Sequence, residues 1–574
     1  MPRVSIRRVF MYLLAIATVV LVSLNVHQTL MGHNAWPALS GAGVSSSGPG
    51  GTGSRLVAMW ARQGRGANAV EVKTDILLGH EGTVSGIIKQ DHSEPVNTSE
   101  ALTLQIKPWH SGRKLDLSPL DPSDISIPEP HERPWFMSGG KVQPTQCVID
   151  PVTQKRAATI LPEDANTSND RILDQLMFYP PNGYIPENLQ DTSIPLKKIL
   201  LWNGISSWGG TRPGRGVFLK QECPVNSCAI TTSRTDSLNA DLVLFKDHFT
   251  MPTYQRPLNQ LWMMYMLECP LHTQMFKSKD VFNWTSTYRS DSTIVAPYER
   301  WLYHNENVRA QVQPKNYAAN KTKTVAWFVS NCGARNGRLD YAKQLQKYIQ
   351  VDIYGSCGSK RCPRSQSKNC FEMLNKQYKF YLAFENSNCQ DYITEKFFVN
   401  GLGHDILPIV MGARPQDYQR SSPEHSFIHV DDFDGPEKLA EYLHKLDQND
   451  DLYNEYFQWK GTGEFINTKF FCRVCAMLHD PKIVDHQAEQ PYYKDINEWW
   501  RGPGTCINGS WRKFYEALER DAQSKRQESQ KQRKIQQADK EKQKERAPLL
   551  AEEVPQIVEA QVLETKLDQE NRAQ

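Results

Sequence analysis

The chain has 574 residues, which is too many for one ordinary domain and enough for two or three. Its 67 basic residues nearly balance its 64 acidic residues, so the composition lacks the basic excess of nucleic-acid-binding proteins and predicts no nucleic-acid partner. The 39% of hydrophobic residues is enough to form a sizeable core.

The amino-terminal segment has the pattern of a membrane anchor. Three arginines precede an almost unbroken apolar run over residues 9–26. At about 1.5 Å per residue, a helix of this length spans roughly 27 Å, enough to cross a thin bilayer. Because the basic residues precede the run, the positive-inside rule predicts a cytosolic tail over residues 1–8 and a lumenal remainder. A cleaved signal peptide is the alternative.

A lumenal location agrees with two further features. The chain contains 12 cysteines, and an even number suits an oxidising compartment. Five sequons for N-glycosylation occur, at Asn97, Asn166, Asn283, Asn320 and Asn508. We therefore expect a glycoprotein with disulfide bonds.

Two segments lack the pattern of a globular fold. Residues 27–195 contain a Gly- and Ser-rich linker at 41–54, and from residue 55 they are rich in Pro, Ser, Asp and Asn, which predicts a largely flexible stem. Residues 516–574 are strongly charged. They could form a polar helix, but they lack the apolar heptad positions of a coiled coil. A solvated or disordered tail is therefore predicted in preference to a partner-binding helix.

Between stem and tail, short apolar runs alternate with segments of helical periodicity. The strands predicted in a first series are 197–202, 240–245 and 261–267. A second series alternates strands and helices, in the order 324–329, 338–349, 351–355, 371–377, 380–384, 391–402, 406–412, 426–430 and 437–446. This alternation predicts βαβ units and parallel sheets. We predict an α/β fold of two Rossmann-like domains, 196–315 and 316–515, that face each other across a cleft.

One strand-to-helix junction is rich in polar side chains. The predicted strand 380–384 is followed by E-N-S-N-C-Q and then by a helical segment from Asp391. The N-terminus of such a helix can bind an anion. Tyr392 and Lys396 would share one helical face, with Glu395 beside them. The cation could hold a phosphate and the carboxylate a ribose, although an ordinary capped surface helix would show the same residues.

A second basic cluster follows the predicted strand 324–329. Arg335 and Arg338 lie beyond its carboxyl end, and Arg338 begins a helix. Two turns of one sheet thus carry cations, which indicates a nucleoside-diphosphate site. The sequence contains no Gly-rich dinucleotide motif and no P-loop.

Two short motifs could suggest a metal, and neither does so strongly. The run D-D-F-D, residues 431–434, contains D-x-D, which binds Mn²⁺ in some sugar-nucleotide enzymes. It also precedes a predicted helix, so we interpret Asp434 as an N-cap. Cys472 and Cys475 form a C-x-x-C without further zinc ligands, and in the lumen we expect them in disulfides. We predict no metal site.

The segment F-Y-L-A-F-E-N-S-N-C-Q-D-Y-I-T-E-K-F-F-V-N, residues 380–400, closely resembles the signature of the α1,3-fucosyltransferases of glycosyltransferase family 10. The resemblance extends over residues 197–478 and includes L-E-C-P, Y-R-S-D-S, F-I-H-V-D-D-F and the final C-x-x-C. It implies a two-domain fold of the GT-B type that binds GDP-fucose in its C-terminal domain. Tail, anchor and stem are similar to the plan of single-pass type II Golgi membrane enzymes with a lumenal catalytic domain.

The resemblance also implies roles for particular residues. Arg338 and Lys396 would contact the pyrophosphate of the donor. Asn386, Tyr392 and Glu395 would hold its phosphate, base or ribose region. The nucleotide would thus be bound mainly by the C-terminal domain.

The N-terminal domain would supply the catalytic group. Glu268, in L-E-C-P, occupies the position of the family's catalytic carboxylate, and Arg289 is a further expected donor contact. Arg335 does not align with certainty. Cys269 stands where many relatives have Ser. In the family, the final C-x-x-C is bridged to two cysteines of the N-terminal domain, so the expected disulfides are the two pairs Cys223–Cys472 and Cys228–Cys475.

The implied reaction is an inverting transfer of L-fucose from GDP-β-L-fucose. A single in-line displacement needs a base for the acceptor hydroxyl, a contribution of about 10²–10⁴-fold, and Glu268 is the candidate. Fixed cations would stabilise the diphosphate that leaves. We therefore expect no obligatory cofactor, with Mn²⁺ or Mg²⁺ as an optional stimulant.

Three acceptor hypotheses remain open. S-N-C-G-A-R-N-G-R and the signature segment are more similar to core-type family members, which implies transfer to O3 of the Asn-linked N-acetylglucosamine of N-glycoproteins. A Lewis-type enzyme acting on antennary N-acetylglucosamine would share every donor residue. An inactive lumenal lectin or scaffold would keep the fold but not turnover.

Overall fold

The computed structural model describes residues 126–146, 160–162, 170–186, 195–485 and 493–573. All of these residues fall within the same structural unit of the chain. The predicted cytosolic tail, the anchor, much of the stem, Asn97 and Asn166 lie outside the described residues. Within the described ranges, no helix combines the length and the hydropathy that crossing a membrane requires.

A first parallel sheet forms from the predicted first series. The elements in chain order are α1 (Arg171–Leu176), β1 (Lys197–Leu201), α2 (Gly216–Lys220), β2 (Cys228–Thr231), β3 (Leu242–Lys246), β4 (Leu261–Met266) and β5 (Trp284–Thr287). The five strands pair in the order β2-β1-β3-β4-β5, and every pairing is parallel. Strands β3 and β4 are buried at every position, as expected for strands covered on both faces. The three predicted strands are confirmed.

A second parallel sheet forms from the predicted second series. The elements in this part of the chain are β6 (Arg300–Tyr303), β7 (Lys323–Phe328), α3 (Arg338–Leu345), β8 (Val351–Tyr354), α4 (Ser367–Gln377), β9 (Tyr378–Phe384), β10 (Asn388–Cys389), α5 (Glu395–Phe397), a π-helical turn (Phe398–Leu402), β11 (Leu407–Met411), α6 (Pro415–Ser421), β12 (Ile428–His429), α7 (Pro436–Asp447) and α8 (Asp450–Glu455). Strands β6 and β10 form antiparallel pairs outside the second sheet. Its strand order is β12-β11-β9-β7-β8, again all parallel. The predicted α/β fold with parallel sheets is confirmed.

The chain then returns to the first sheet. The remaining elements are β13 (Gly463–Ile466), α9 (Phe470–Leu478), α10 (Pro481–Val484), α11 (Ile496–Arg501), β14 (Cys506–Ile507) and α12 (Trp511–Glu570). Phe471, Val474 and Met477 of α9 are buried in the core of the first sheet. The predicted domain 316–515 therefore does not pack as one block, because the apolar face of α9 is complementary to the other sheet.

Part of the predicted flexible stem is folded. Trp135, Phe136, Ile160 and Leu161 are buried in the same core as the first sheet. The indole nitrogen of Trp135 donates to the carbonyl oxygen of Leu176 at 3.0 Å. The stem prediction is wrong for these segments because isolated apolar residues, without helical or strand periodicity, still gain free energy by burial against a neighbouring core.

The charged tail is helical. Helix α12 has 60 residues and is rich in Ala, Glu, Lys, Gln and Arg, which are strong helix formers. Trp511 anchors its first turn, with 1% of its surface exposed and its indole nitrogen 2.8 Å from the carbonyl oxygen of Gly412. The prediction of disorder is wrong, whereas residues 517–543 are exposed, as the prediction of a solvated segment requires.

Five disulfides connect described cysteines. The two expected pairs are present, Cys223–Cys472 and Cys228–Cys475, and they attach α9 to the first sheet. The other three pairs are Cys332–Cys357, Cys362–Cys370 and Cys389–Cys506. Of the cysteines in the described ranges, Cys269 alone is free, and it is buried.

One sequon is incompatible with a glycan. Asn283 is 7% exposed, directly precedes β5, and accepts a hydrogen bond from the main-chain nitrogen of Trp262 at 3.0 Å. The prediction of glycosylation at Asn283 is therefore wrong, because its side chain is used inside the fold. Asn320 and Asn508 are exposed and stay predicted sites.

Candidate functional site

Residues that follow strand β4 and strand β9 meet in space. Strand β4 ends at Met266, and Glu268 comes two residues later, just before the short turn Pro270–His272. Strand β9 ends at Phe384, and the polar segment Glu385–Gln390 begins at once. In parallel sheets, this carboxyl edge is where ligands bind.

Glu268 is the centre of a hydrogen-bonded cluster. Its Oε1 accepts from the Tyr392 hydroxyl at 2.7 Å, from the Cys269 main-chain nitrogen at 3.0 Å and from Asn386 Nδ2 at 3.3 Å. His272 Nδ1 is 3.7 Å from the same oxygen. Oε2 has no partner among the described residues, and the side chain is 46% exposed. One carboxylate oxygen is thus held while the other is open to a ligand.

The cluster keeps the carboxylate ionised. Burial alone would raise the pKa of Glu268, but hydrogen bonds from His272, Cys269, Tyr392 and Asn386 outweigh it and lower the pKa to about 2. Hydrogen bonds with Cys269 and Glu268 raise the pKa of His272 to about 10. At neutral pH the two side chains therefore form an ion pair, and Glu268 can accept a proton.

A second carboxylate, Glu385, is completely buried at the end of β9. It accepts from the Thr394 main-chain nitrogen and from the Thr394 hydroxyl, both at 2.8 Å. Lys396 Nζ lies 3.1 Å from Glu385 and 3.2 Å from Glu395. Burial raises the pKa of Glu385. Burial alone would lower the pKa of Lys396, but Glu385 and Glu395 together raise it. This group connects β9 to α5.

The helix after β9 begins later than the sequence predicts. Asp391 has a left-handed φ of 58°, and Thr394 is the N-cap of α5, which starts at Glu395. The prediction that Tyr392 and Lys396 share a helical face is wrong, because Glu385 binds Thr394 and keeps the preceding residues out of the helix. Helix α5 continues directly into the π-helical turn Phe398–Leu402, and anion binding at its N-terminus stays a prediction.

Asp391 connects the two halves of the site. Its Oδ2 accepts from the main-chain nitrogen and the hydroxyl of Ser290, both at 2.9 Å. Its Oδ1 pairs with Arg420, and its main-chain nitrogen donates to Asp417 at 2.8 Å. Burial, followed by the nearby Asp417 carboxylate, raises the pKa of Asp391 to about 6. The loop after β5 is thereby held against the segment before α5.

Arg338 lies beneath the predicted donor site. It is 3% exposed and donates to the carbonyl oxygens of Phe384 at 2.8 Å and Asn331 at 3.0 Å. Its Nε is buried and has no hydrogen-bond partner among the described residues. Its contact with the pyrophosphate stays a prediction.

The remaining predicted donor residues are dispersed. Arg289 is 6% exposed, pairs with Asp291 and lies 4.5 Å from the ring centre of Trp499. Its donor contact stays a prediction. Arg335 is exposed. The structure thus brings Glu268, Asn386 and Tyr392 into direct contact and groups Glu395 with Lys396.

The D-x-D motif is used in the fold. The N-cap of α7 is Gly435, so the prediction that Asp434 caps this helix is wrong. Asp434 instead pairs with Arg512 at 2.7 Å, and Asp431 accepts from the Trp511 main-chain nitrogen at 2.8 Å. The start of α12, distant in sequence, binds both carboxylates.

A separate polar cavity of about 260 Å³ lies between β6 and α6. Its lining includes Arg300, Tyr303, Arg420 and Glu424, and none of the predicted catalytic or donor residues lines it. We assign it no role in the site.

Four further residues complete the cluster. Sequence reasoning did not select Glu385, Thr394, His272 or Ser387. Glu385 and Thr394 lie inside the quoted signature, and His272 follows Glu268 by one helical turn in sequence. These residues lie in or near the sequence motifs, but only the fold shows that they contact the site.

Known protein families match the parts of the chain that contain the site. A family model described as fucosyltransferase, N-terminal, matches residues 195–299, and one described as glycosyltransferase family 10 (fucosyltransferase) C-term matches residues 318–499. The chain is 54% identical to glycoprotein 3-α-L-fucosyltransferase A of Drosophila melanogaster, over 67% of this chain and 76% of that protein. It is 35% identical to a human 4-galactosyl-N-acetylglucosaminide 3-α-L-fucosyltransferase, over 54% of this chain and 86% of that protein.

A solved structure of an α1,3-fucosyltransferase with GDP-fucose is more distant. It is 17% identical, covers 54% of this chain and 96% of its own, and aligns with a TM-score of 0.35. At this distance the likeness does not extend to the positions of individual residues.

Proposed function

This chain belongs to glycosyltransferase family 10 and is an α1,3-fucosyltransferase, and from that premise we propose its acceptor, donor site and mechanism. The acceptor is O3 of the Asn-linked N-acetylglucosamine of N-glycoproteins. The donor is GDP-β-L-fucose, and transfer inverts the configuration at the fucose anomeric carbon. The two sheets correspond to the two halves of a GT-B enzyme.

One observation carries the choice of acceptor. The chain is 54% identical to a relative named for transfer to glycoproteins and 35% identical to one named for transfer to a galactosyl-N-acetylglucosaminide. The motifs that resemble core-type members point the same way. Within glycoproteins, O3 of the root N-acetylglucosamine is therefore the proposed position.

Glu268 is the proposed general base. Its Oε2 is open while Oε1 is held by Tyr392 and Asn386, so the carboxylate is oriented from the second sheet's side of the site. The acceptor hydroxyl donates to Oε2 and loses its proton as its oxygen attacks the anomeric carbon. A low pKa makes proton acceptance less favourable. If Tyr392 or Asn386 rotated away from Oε1 during the reaction, the pKa of Glu268 would rise.

The donor diphosphate is proposed to bind beside α5. Lys396 is one quarter exposed and Glu395 two fifths exposed, so both retain surface for a ligand. Arg338 supports the loop through its hydrogen bonds to the carbonyl oxygens of Phe384 and Asn331. Cationic side chains stabilise the charge that develops on the leaving diphosphate without proton transfer. No cofactor is obligatory in this mechanism, and Mn²⁺ or Mg²⁺ acts at most as a stimulant of diphosphate departure.

Product analysis tests the acceptor. The full chain is incubated with GDP-fucose and a glycoprotein whose N-glycans carry both an unmodified root and free antennae. Mass spectrometry of the released glycopeptides is expected to place fucose on the root, where it blocks an N-glycanase that is sensitive to core α1,3-fucose. Fucose on antennary N-acetylglucosamine, with an unmodified root, would reject the proposal.

That second outcome would favour the Lewis-type alternative. The human relative at 35% identity, named for a galactosyl-N-acetylglucosaminide acceptor, is the observation that supports it. Both enzymes would use the same base and donor residues. Only the acceptor position therefore separates them.

We also propose that the enzyme is a single-pass type II protein of the Golgi membrane. The five disulfides among described residues support a lumenal location for both sheets. Expression in insect cells should yield glycopeptides modified at Asn320 and Asn508 but not at the buried Asn283. Unmodified Asn320 and Asn508 would argue against lumenal exposure.

A further inference from the structure

We propose that Glu268, Cys269 and His272 form a binding site for a thiophilic divalent cation of the Zn²⁺ class, and that the bound cation inhibits fucosyl transfer. The binding stands on the geometry of the three side chains. The inhibition rests on the proposed function of Glu268 as base, because a cation bound through Oε1 withdraws charge from the whole carboxylate and lowers the proton affinity of Oε2.

The spacing of the ligand atoms matches a tetrahedral site. Cys269 Sγ is 3.3 Å from His272 Nδ1, and His272 Nδ1 is 3.7 Å from Glu268 Oε1. All three ligand atoms lie within 4.8 Å of one another. Zinc–ligand bonds of about 2.0–2.3 Å at tetrahedral angles separate ligand atoms by roughly 3.4–3.6 Å. A cation can therefore contact all three atoms after small rotations of the side chains.

The donor set selects the cation. A thiolate, an imidazole and a carboxylate are typical zinc ligands, and three protein ligands leave a fourth position for water. Mg²⁺ and Mn²⁺ prefer all-oxygen sites, so the proposed stimulating ions would not compete strongly. Binding would release the thiol proton of Cys269, which now points to the Ser387 hydroxyl at 3.1 Å, and the shared proton of His272.

The site is open on one side only. Cys269 is fully buried, whereas the side chains of Glu268 and His272 are 46% and 39% exposed. A cation would enter from solvent, first contact the exposed side chains of Glu268 and His272, and then bind the buried sulfur of Cys269. Ser at position 269, as in many relatives of the resembled family, would remove the soft ligand.

A second cluster of similar composition provides a control. Cys228, Cys475 and His479 also lie within ligand distance of one another. Both of these cysteines are in disulfides, so neither can supply a thiolate. The structure therefore assigns cation binding to one of two superficially similar clusters.

Cobalt is the probe, because Co²⁺ replaces Zn²⁺ and its thiolate bond gives a near-ultraviolet charge-transfer band. The full-length chain in detergent is titrated with Co²⁺ as wild type and as the variants Cys269→Ser, His272→Gln and His479→Gln. A further variant, Cys147→Ser, removes the one cysteine of the sequence that lies outside the described residues. The wild type should show a saturable band at one equivalent, and Zn²⁺ should displace it. Cys269→Ser should abolish the band, and His272→Gln should weaken Co²⁺ affinity at least about tenfold. The other two variants should behave as wild type.

Thermal unfolding of each variant shows whether the variant is folded. If Cys269→Ser does not fold, His272→Gln tests the site in its place. Absence of the band in the wild type, or its survival in Cys269→Ser, would overturn the site. Inhibition is measured separately, as the Zn²⁺ concentration that halves each variant's own transfer rate, which should rise at least about tenfold in Cys269→Ser. If the cation binds but saturating Zn²⁺ leaves wild-type transfer unchanged, the site stands, and both the inhibition and the role of Glu268 as base are wrong.

Discussion

Two carboxylates follow the carboxyl ends of central strands, Glu268 after β4 in the first sheet and Glu385 after β9 in the second. Glu268 is almost half exposed, and its pKa is lowered to about 2. Glu385 is fully buried, and its pKa is raised. The same residue type at the same topological position thus has opposite electrostatic behaviour.

The number of hydrogen-bond donors and the solvent explain the difference. The Oε1 atom of Glu268 accepts several hydrogen bonds, and the side chain is exposed to solvent, so the charged form of Glu268 is favoured. Glu385 depends on Thr394 and on one cation, Lys396, in a site without solvent, so the cost of burying its charge dominates. One carboxylate is available to a substrate, and the other holds β9 and α5 together.

The sharpest test of this contrast is Glu268→Gln. We expect turnover to fall by about 10²–10⁴-fold, the usual contribution of a general base, with GDP-fucose binding nearly unchanged. Steady-state kinetics and a binding titration measure the two effects. Retention of more than about a tenth of wild-type turnover would show that Glu268 is not the base.

Lys396→Met should show the opposite pattern. It leaves the Glu385 charge buried without its cation, which we expect to lower the free energy of unfolding by about 3–5 kcal/mol and to weaken donor binding. Urea denaturation measures the loss. Glu395→Gln, which removes the more exposed partner of Lys396, is the control and should cost at most about 1 kcal/mol.

The same variant has a pH dependence with a definite sign. A carboxyl group whose folded pKa is raised makes the protein less stable as the pH rises through that pKa. Without Lys396 the pKa of Glu385 rises further, so Lys396→Met should lose more stability at pH 8 than at pH 5. An equal loss at both values would mean that Glu385 does not carry a buried charge in the variant.

The disulfides extend the comparison to stability. The quadruple variant Cys223→Ser, Cys228→Ser, Cys472→Ser and Cys475→Ser removes both links of the first sheet, which span 249 and 247 residues, and the loop-entropy model gives a loss of at least about 5 kcal/mol. Cys362→Ser with Cys370→Ser opens a link of 8 residues beside the second sheet and should cost about half as much. Thermal unfolding compares the two variants. A larger loss from the short link would show that strain or residual structure outweighs chain entropy.

The smallest effect concerns the connection between the halves. Ser290→Ala removes one hydroxyl bond to Asp391, and a bond to a charged acceptor is worth about 1.5–3 kcal/mol. Since the pKa of Asp391 is raised to about 6, the carboxylate is charged above that pH and the loss should be greater at pH 7.5 than at pH 5. Ser233→Ala, at an exposed position, is the control for urea denaturation. A loss independent of pH would contradict the raised pKa.

The sequence by itself determined three of the five strands of the first sheet, the strands of the second sheet, their parallel direction, and the family to which the signature belongs. Period and length of apolar runs specify buried strands, and these are local properties. Motif matching also brought Glu268, Tyr392 and Lys396 to attention before any contact between them was known.

Only the tertiary structure decided how those residues are used. Tyr392 lies before α5 and reaches Glu268 because Glu385 binds Thr394 and delays the helix. Asn283 is a sequon in sequence, and in the fold it is a buried residue that precedes β5 and bonds to Trp262. Each outcome depends on groups more than twenty residues apart in the chain or on the competition between solvent and a buried partner. Local periodicity carries no information about either, so these roles follow from packing alone.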